Sequence, residues 1–388
     1  MSNLLDRPES PSERDPIKNF LWCGPDNIGI KPPEKTGQAV SNLSDEVQQN
    51  PKHATTLERY FNSIFPKKNP AETQEKPQKE NSDLNFIREF TAKNGPDPAD
   101  YQILRDFYKN FYEDLRAGNL TKQQVLRILN EFGPALTLET LYGRCLLQDG
   151  GVGSYKRIVE IEEGHISRNP QVAKWDHHYQ EGLEAPDAVR ERLRVAVSEA
   201  FQDFKTSQGI FCIKDLPSGS GSFGKLFYEK VQQVGADLAR VDLHCCDLDR
   251  ASIKYAKNQN PDIHPDKFHF VNLLKYEFGK LHKWTNEPRA DFIYCAGFLD
   301  YLTNDQVIRL LGEFYKSLKN GGRAVVGNFN KDFPDKYVLY MHNWVLRDRS
   351  QKEMYEIAIQ AKIPKNNIEF LNLKNSSTQI LMSVGKTS

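Results

Sequence analysis

The chain has 388 residues, and its 52 Lys and Arg balance 52 Asp and Glu to a formal net charge of zero. That length accommodates one large core plus an accessory region, and a neutral total supplies no global field to recruit nucleic acid or an anionic membrane. No run reaches the roughly 18–20 apolar residues that span a bilayer, and the start lacks the basic and apolar regions of a signal peptide. The expectation is a cytoplasmic protein without a transmembrane segment, with export as an effector left open.

Residues 1–82 are rich in Pro, Lys, Glu, Gln, Asn and Ser, which predicts a largely disordered tail. Two apolar islands interrupt it, at residues 20–22 and 57–65, able to dock on the core or on a protein partner. Residues 83–206 read as a helical cap. Tyr101, Leu104, Phe107, Tyr108, Phe111 and Leu115 form one stripe, and Val125, Ile128, Leu129 and Phe132 form a second. Val189, Leu193, Val197 and Phe201 share a face of a further helix over 185–206. The six cysteines form no CxxC pair and the nine histidines no HExxH. Core thiols and no metal site are expected.

Residues 207–388 alternate short apolar runs with helical stretches. A strand over 210–216 leads into Pro217-Ser218-Gly219-Ser220-Gly221-Ser222-Phe223-Gly224 and a helix. A run over 239–246 stops at Asp247-Leu248-Asp249, before a helix over 250–257. Further runs cover 268–271, 290–295 and 324–327, with a helix over 305–318 and a turn at Asn320-Gly321-Gly322 between the last two. This alternation predicts βαβ units and a parallel sheet. Glycines between strand and helix let backbone approach a ligand closely. A carboxylate just past a strand end is the usual partner of a ribose diol. Gly219, Gly221 and Gly224 also satisfy the letters GxGxxG, so a nicotinamide-dependent oxidoreductase is an alternative.

Leu318-Lys-Asn-Gly-Gly-Arg-Ala-Val-Val resembles the "L-K-P-G-G-x-L" passage of class I methyltransferases, as does Ala290-Asp-Phe-Ile-Tyr-Cys. The phrases Tyr294-Cys-Ala-Gly-Phe-Leu-Asp-Tyr-Leu, Gly327-Asn-Phe and Trp344-Val-Leu-Arg-Asp-Arg349 are similar to a narrower bacterial family. Its members read "aGLfDYL … LkPGG … igNf … W-x-L-x-x-R", and some make the methyl ester of 3-hydroxypalmitic acid. Ala188-Val-Arg-Glu-Arg matches that family's "AVRNR", and Gly150-Gly-Val-Gly-Ser-Tyr155 matches "GYAGDY" in part. The resemblance spans roughly residues 140–385.

It implies a Rossmann-like class I methyltransferase sheet under the helical cap, with S-adenosylmethionine as cofactor. Ser218, Gly219 and Gly221 would approach the methionine part, and Asp247 would receive the ribose hydroxyls with Asp249 as substitute. Asn272 would meet the adenine edge, Leu248 and Leu273 would sandwich the purine, and Cys295, Ala296 and Gly297 would line the wall beside the sulfonium. Asp300, Tyr301, Tyr155, Arg190, Trp344 and Arg349 are the substrate-side candidates, with Arg190, Arg192 or Arg349 to clamp an acceptor carboxylate. The arginines have an alternative role in tying the cap to the core, and Asp300 one in capping a helix. Gly151 and Ser154 replace the family's Tyr and Asp, and the first turn lacks the family's following Glu, placing contact with the methionine amino group in question. The implied activity is methyl transfer to a small-molecule or fatty-acid-like acceptor. The alternative is a binding or regulatory protein that keeps the fold with reduced turnover.

Overall fold

The computed structural model describes residues 85–86, 88–90, 95–117, 119–120, 124, 154–271, 273, 289–341, 344 and 346–387. The expected tail, the second cap stripe, Gly151 and Asn272 lie outside them.

Seven apolar runs pair into one sheet. They are β1 (Phe211–Asp215), β2 (Val241–Asp247), β3 (Phe268–Phe270), β4 (Ala290–Cys295), β5 (Leu318–Phe329), β6 (Ile368–Phe370) and β7 (Gln379–Gly385). Their spatial order is β3-β2-β1-β4-β5-β7-β6. β1 to β5 are parallel, whereas β7 runs antiparallel to both β5 and β6. All five residues of β1 are buried, as expected of a central strand with both faces covered.

Before the sheet come α1 (Tyr101–Ala117), α2 (Tyr155–Glu163), α3 (Pro170–Glu181) and α4 (Glu184–Thr206). α5 (Ser222–Gln233) follows β1, α6 (Arg250–Gln259) follows β2, and α7 (Asn304–Ser317) joins β4 to β5. α8 (Lys336–Met341) and α9 (Gln351–Gln360) lie between β5 and β6. Thr303 with Gln306 and Ser350 with Glu353 form capping boxes that start α7 and α9.

One face of the sheet buries Ile293, Cys295 and Val326 against Leu310, Phe314, Met354 and Ile357 of α7 and α9. The other buries Ile213, Leu243 and Phe292 against α4 and α5, through Val197, Phe201, Phe204, Phe223 and Phe227. A third cluster joins Leu104, Tyr108, Phe111, Trp175 and Val189 of the cap to Phe329 at the end of β5 and to Leu339 and Trp344 beyond it. α4 enters two of these clusters, so the last helix of the cap packs its second half on the sheet. The turn expected at Asn320-Gly321-Gly322 is instead a bulge within β5. Ala290 opposes Leu318 while Phe292 opposes Arg323, and Gly321 N–H and Gly322 C=O both pair with Lys386. Those backbone bonds draw the glycines into the strand.

Phe204 is 1% exposed, with edge-on contacts to Phe211 at 5.8 Å and Phe227 at 5.9 Å between ring centroids. Phe204→Ala should destabilise the protein by about 3–5 kcal/mol, read as a lower urea midpoint at unchanged slope.

Candidate active site

Strand order reverses between β1 and β4, which opens a crevice at their carboxyl ends. The turn after β1 forms one wall. Gly221 has φ +76° and starts α5, and a Cβ there would meet the Ala256 Cβ at 2.8 Å. Asp247 closes the end of β2. Its Oδ2 accepts the Gly219 amide at 2.9 Å and its Oδ1 the Asp249 amide at 2.9 Å. Burial raises its carboxyl above the ordinary range while the two amides oppose the rise. Asp249 accepts from Ala251 N and caps α6, so its carboxylate is engaged where it was expected to substitute for Asp247.

The crevice floor holds a carboxylate that the sequence reading missed. Asp215 ends β1, is 1% exposed, and neither carboxylate oxygen has a hydrogen-bond partner among the described residues. Burial pushes its carboxyl well above the usual range, and the charges of Asp247 and Glu162 push it further. The Ser218 Oγ is likewise buried without a partner among those residues. An acid immediately before a glycine-rich turn was the available signal.

The cap supplies the opposite wall. Glu162 on α2 accepts from Ser222 Oγ at 2.5 Å and Ser220 Oγ at 3.1 Å. Tyr155, at the start of α2, lies 5.2 Å from the Tyr255 ring of α6. Arg192 of α4 is 5% exposed and points at Gly297, where a Cβ would come 2.6 Å from Nη2. Gly297 therefore lets the guanidinium reach the end of β4.

Several substrate-side candidates turn out to hold the protein together. Arg349 Nε donates to Asn304 Oδ1, Nη1 to Leu299 O and Asn328 Oδ1, and Nη2 to Leu302 O. Its fork fixes residues 299–304 and engages most of its donors inside the protein. Arg190 donates to Ile161 O, Gln180 O and Gln180 Oε1, which ties α2 and α3 to α4, the internal alternative. Trp344 is 4% exposed, donates Nε1 to Tyr301 OH at 2.7 Å, and carries the Arg157 guanidinium 4.4 Å above its ring. Burial raises the Tyr301 phenol to about 12, so it stays neutral. Asp300 does not cap α7, whose N-cap is Thr303. Its Oδ1 accepts the Phe329 amide at 2.6 Å, and its Oδ2 is buried with no partner among the described residues.

On the far side of the crevice, Leu248 is 38% exposed, but Leu273 and Cys295 are packed in the core beside α7. Both side chains are engaged in that buried cluster, Cys295 from β4 and Leu273 from the segment after β3. Ala296 packs against the opposite core cluster. Phe270, unremarked in the sequence, ends β3 beside Asp247, is 48% exposed, and carries Arg250 4.2 Å above its ring. Cys212, Cys245, Cys246 and Cys295 are free and buried, as core thiols should be. Cys212, Asp242 and His244 bring ligand atoms within 4.8 Å of one another away from the crevice. Lys267 Nζ already sits 2.8 Å from Asp242, and the His244 hydrogen bond and Lys267 hold that carboxyl well below the ordinary range.

Residues 215–324 match the family model of a methyltransferase domain. No curated protein matches the chain by sequence. A crystal structure described as a possible exported protein from Bordetella parapertussis overlaps 81% of this chain and all of its own, at 15% identity and a TM-score of 0.50. The N-methyltransferase NodS of Bradyrhizobium japonicum, bound to S-adenosylhomocysteine, overlaps 50% of this chain and 87% of its own (12% identity, TM-score 0.34). Magnesium protoporphyrin IX methyltransferase of Synechocystis, also with S-adenosylhomocysteine, overlaps 52% and 85% (9% identity, TM-score 0.37). The seven-stranded sheet with its flanking helices resembles the Rossmann-like methyltransferase fold, and residues 215–324 are similar to a methyltransferase domain. No described helix is long and apolar enough to cross a membrane.

Burial raises the Asp300 carboxyl from 3.8 to about 6, against the pull of the Phe329 amide, Arg192 and Arg349. A carboxyl raised in the fold favours the protonated form. Its contribution to stability is present below about pH 4 and lost as pH rises through about 6. Asp300→Asn keeps the Oδ1 acceptor and removes the charge. From pH 4 to pH 7.5 its stability should gain on the parent by about 2.4 kcal/mol, measured by urea melts at each pH.

Proposed function

We propose that the chain is a class I, S-adenosylmethionine-dependent methyltransferase acting on a small-molecule or fatty-acid-like acceptor. The reading rests above all on Asp215, a buried carboxylate with no partner among the described residues, set beneath a glycine turn braced by Asp247. A buried charge is costly until a partner compensates it, and this cofactor carries two positive groups. The turn fits as well: a Cβ on Gly219 would meet nothing within 4 Å, so the backbone faces open space. Asp247 has lone pairs left for the ribose diol, and Leu248 and Phe270 offer apolar surface to the purine.

The cofactor supplies an electrophilic methyl group. The chain's own residues align the acceptor and exclude water, which provides most of the catalysis in a displacement of this kind. In this reading Asp300 Oδ2 would take a proton from a hydroxyl acceptor, since Oδ1 is already engaged by the Phe329 amide. An acceptor carboxylate needs no base. The resemblance of residues 294–302 and 344–349 to the 3-hydroxypalmitic acid methyl ester proteins makes hydroxy fatty acids the first acceptors to try.

One observation favours a second reading, a binding protein with reduced turnover. Arg190, Arg349 and Trp344 are spent on internal contacts, which leaves fewer groups to grip an acceptor. The apolar islands near the N-terminus would then recruit a protein partner.

Calorimetric titration with S-adenosylmethionine and S-adenosylhomocysteine tests the cofactor. Micromolar binding is expected, weakened about 100-fold by Asp247→Ala through two lost charge-assisted hydrogen bonds. Failure to bind either ligand would overturn the reading. Binding without S-adenosylhomocysteine release from any acceptor would favour the second.

A further inference from the structure

The amino-terminal half of β2 holds a set of donor atoms that the crevice does not use. In the register of the sheet Cys212 of β1 lies opposite Asp242 of β2. His244 comes two residues after Asp242, so all three side chains share one face. Their ligand atoms lie within 4.8 Å of one another. His244 Nε2 and Asp242 Oδ1 are 3.3 Å apart, longer than a charge-assisted hydrogen bond of about 2.7–2.9 Å. That spacing matches the edge of a tetrahedron of ligands around an ion bound at about 2.0 Å. The other ring nitrogen of His244, Nδ1, lies 3.0 Å from His269 Nε2 of β3. A metal-bound imidazole takes such a partner on its second nitrogen, which fixes the ring.

Sulfur, imidazole and carboxylate together suit zinc, whereas calcium and magnesium take oxygen. Lys267 Nζ sits 2.8 Å from Asp242 Oδ1 and holds a positive charge where an ion would stand. Lys267 and Asp242 line a hollow of about 270 Å³ with Val241, Asp262 and His264. The hollow gives an ion a route in and the lysine, 27% exposed, room to move aside. We infer that Cys212, Asp242 and His244 form a binding site for a thiophilic divalent cation of the zinc class, with His269 bracing His244. On binding, the Cys212 thiol releases its proton to solvent, its sulfur bonds the metal, and Lys267 gives up Asp242. The ion would tie β1 to β2 at the end of the sheet opposite the crevice. The site is therefore independent of the cofactor reading. No local spacing in the sequence marks this set, because only strand pairing brings Cys212 to Asp242.

The test is zinc binding by the metal-free full chain, read by competition with a chromophoric chelator, with cobalt as a second probe. The unaltered chain should bind zinc with a Kd of about 1 μM or tighter and give a sulfur-to-cobalt charge-transfer band. Cys212→Ser should abolish that band and weaken zinc by more than about 100-fold, beyond the range for loss of a supporting partner. His269→Ala should keep the band and weaken zinc by about 10- to 100-fold. Lys267→Ala should tighten zinc by about 10-fold, because a competing positive charge is removed. Urea melts without metal check that each variant is folded. If Cys212→Ser fails that check, the opposed shifts of His269→Ala and Lys267→Ala decide. Three results would each overturn the assignment: no zinc binding by the unaltered chain, a cobalt band that survives Cys212→Ser, or a zinc affinity that Lys267→Ala leaves unchanged.

Discussion

The Asp247 carboxylate accepts the Gly219 amide on one oxygen and the Asp249 amide on the other, and the geometry of the crevice follows from that brace. The Gly219 contact pins the turn after β1 to the end of β2, so two adjacent parallel strands finish at one level. Ser252 Oγ closes the same loop from α6 by donating to Gly219 O. Asn260 donates to Gly221 O from the other end of that helix. The turn is thus held from several directions before any ligand arrives, which lowers the ordering cost of binding.

Around that brace the protein buries more carboxylate than its own cations compensate. Asp215, Asp247, Glu162 and Asp300 all have carboxyls raised above their usual range, chiefly by burial. Elsewhere the chain pairs its buried charge: Arg323 reaches Asp203 at 2.6 Å and Glu199 at 2.7 Å, and Asp335 takes Arg105 and the Ala185 amide. The contrast sets the crevice apart. Stability is given up at the carboxyl ends of β1 and β4.

α4 connects this site to the cap. Its first half packs with Trp175 and Phe329, its second half with Phe211 and Phe227, and Arg192 lies between. A helix of 23 residues is roughly 35 Å long, enough to span both layers. Displacement of the cap would therefore move Arg192 with it. The same reasoning explains the arginines read as substrate clamps. Arg190 and Arg349 have fork geometry suited to a carboxylate, but main-chain carbonyls of neighbouring segments come to hand first and take the donors.

Much of this was legible in the residue order. Alternating apolar runs and helices defined the βαβ units, the glycine turn marked the end of β1, and Asp247 stood at a strand end where a ribose partner belongs. The stripes on α1 and α4 identified buried faces, since helical periodicity is a local property of the chain. Which face of the sheet receives Cys295 and Leu273, which donors of Arg349 and Trp344 are already spent, and which carboxylate remains unpaired were not legible. These depend on partners up to 187 residues away in the chain, as between Arg192 and Gln379, and only packing brings such groups within hydrogen-bond reach. The sequence by itself determined the sheet's elements and the glycine turn beside Asp247. The tertiary structure alone decided that Glu162 of the cap meets that turn at Ser220 and Ser222 and that Arg192 meets Gly297, because burial and charge pairing belong to the assembled fold.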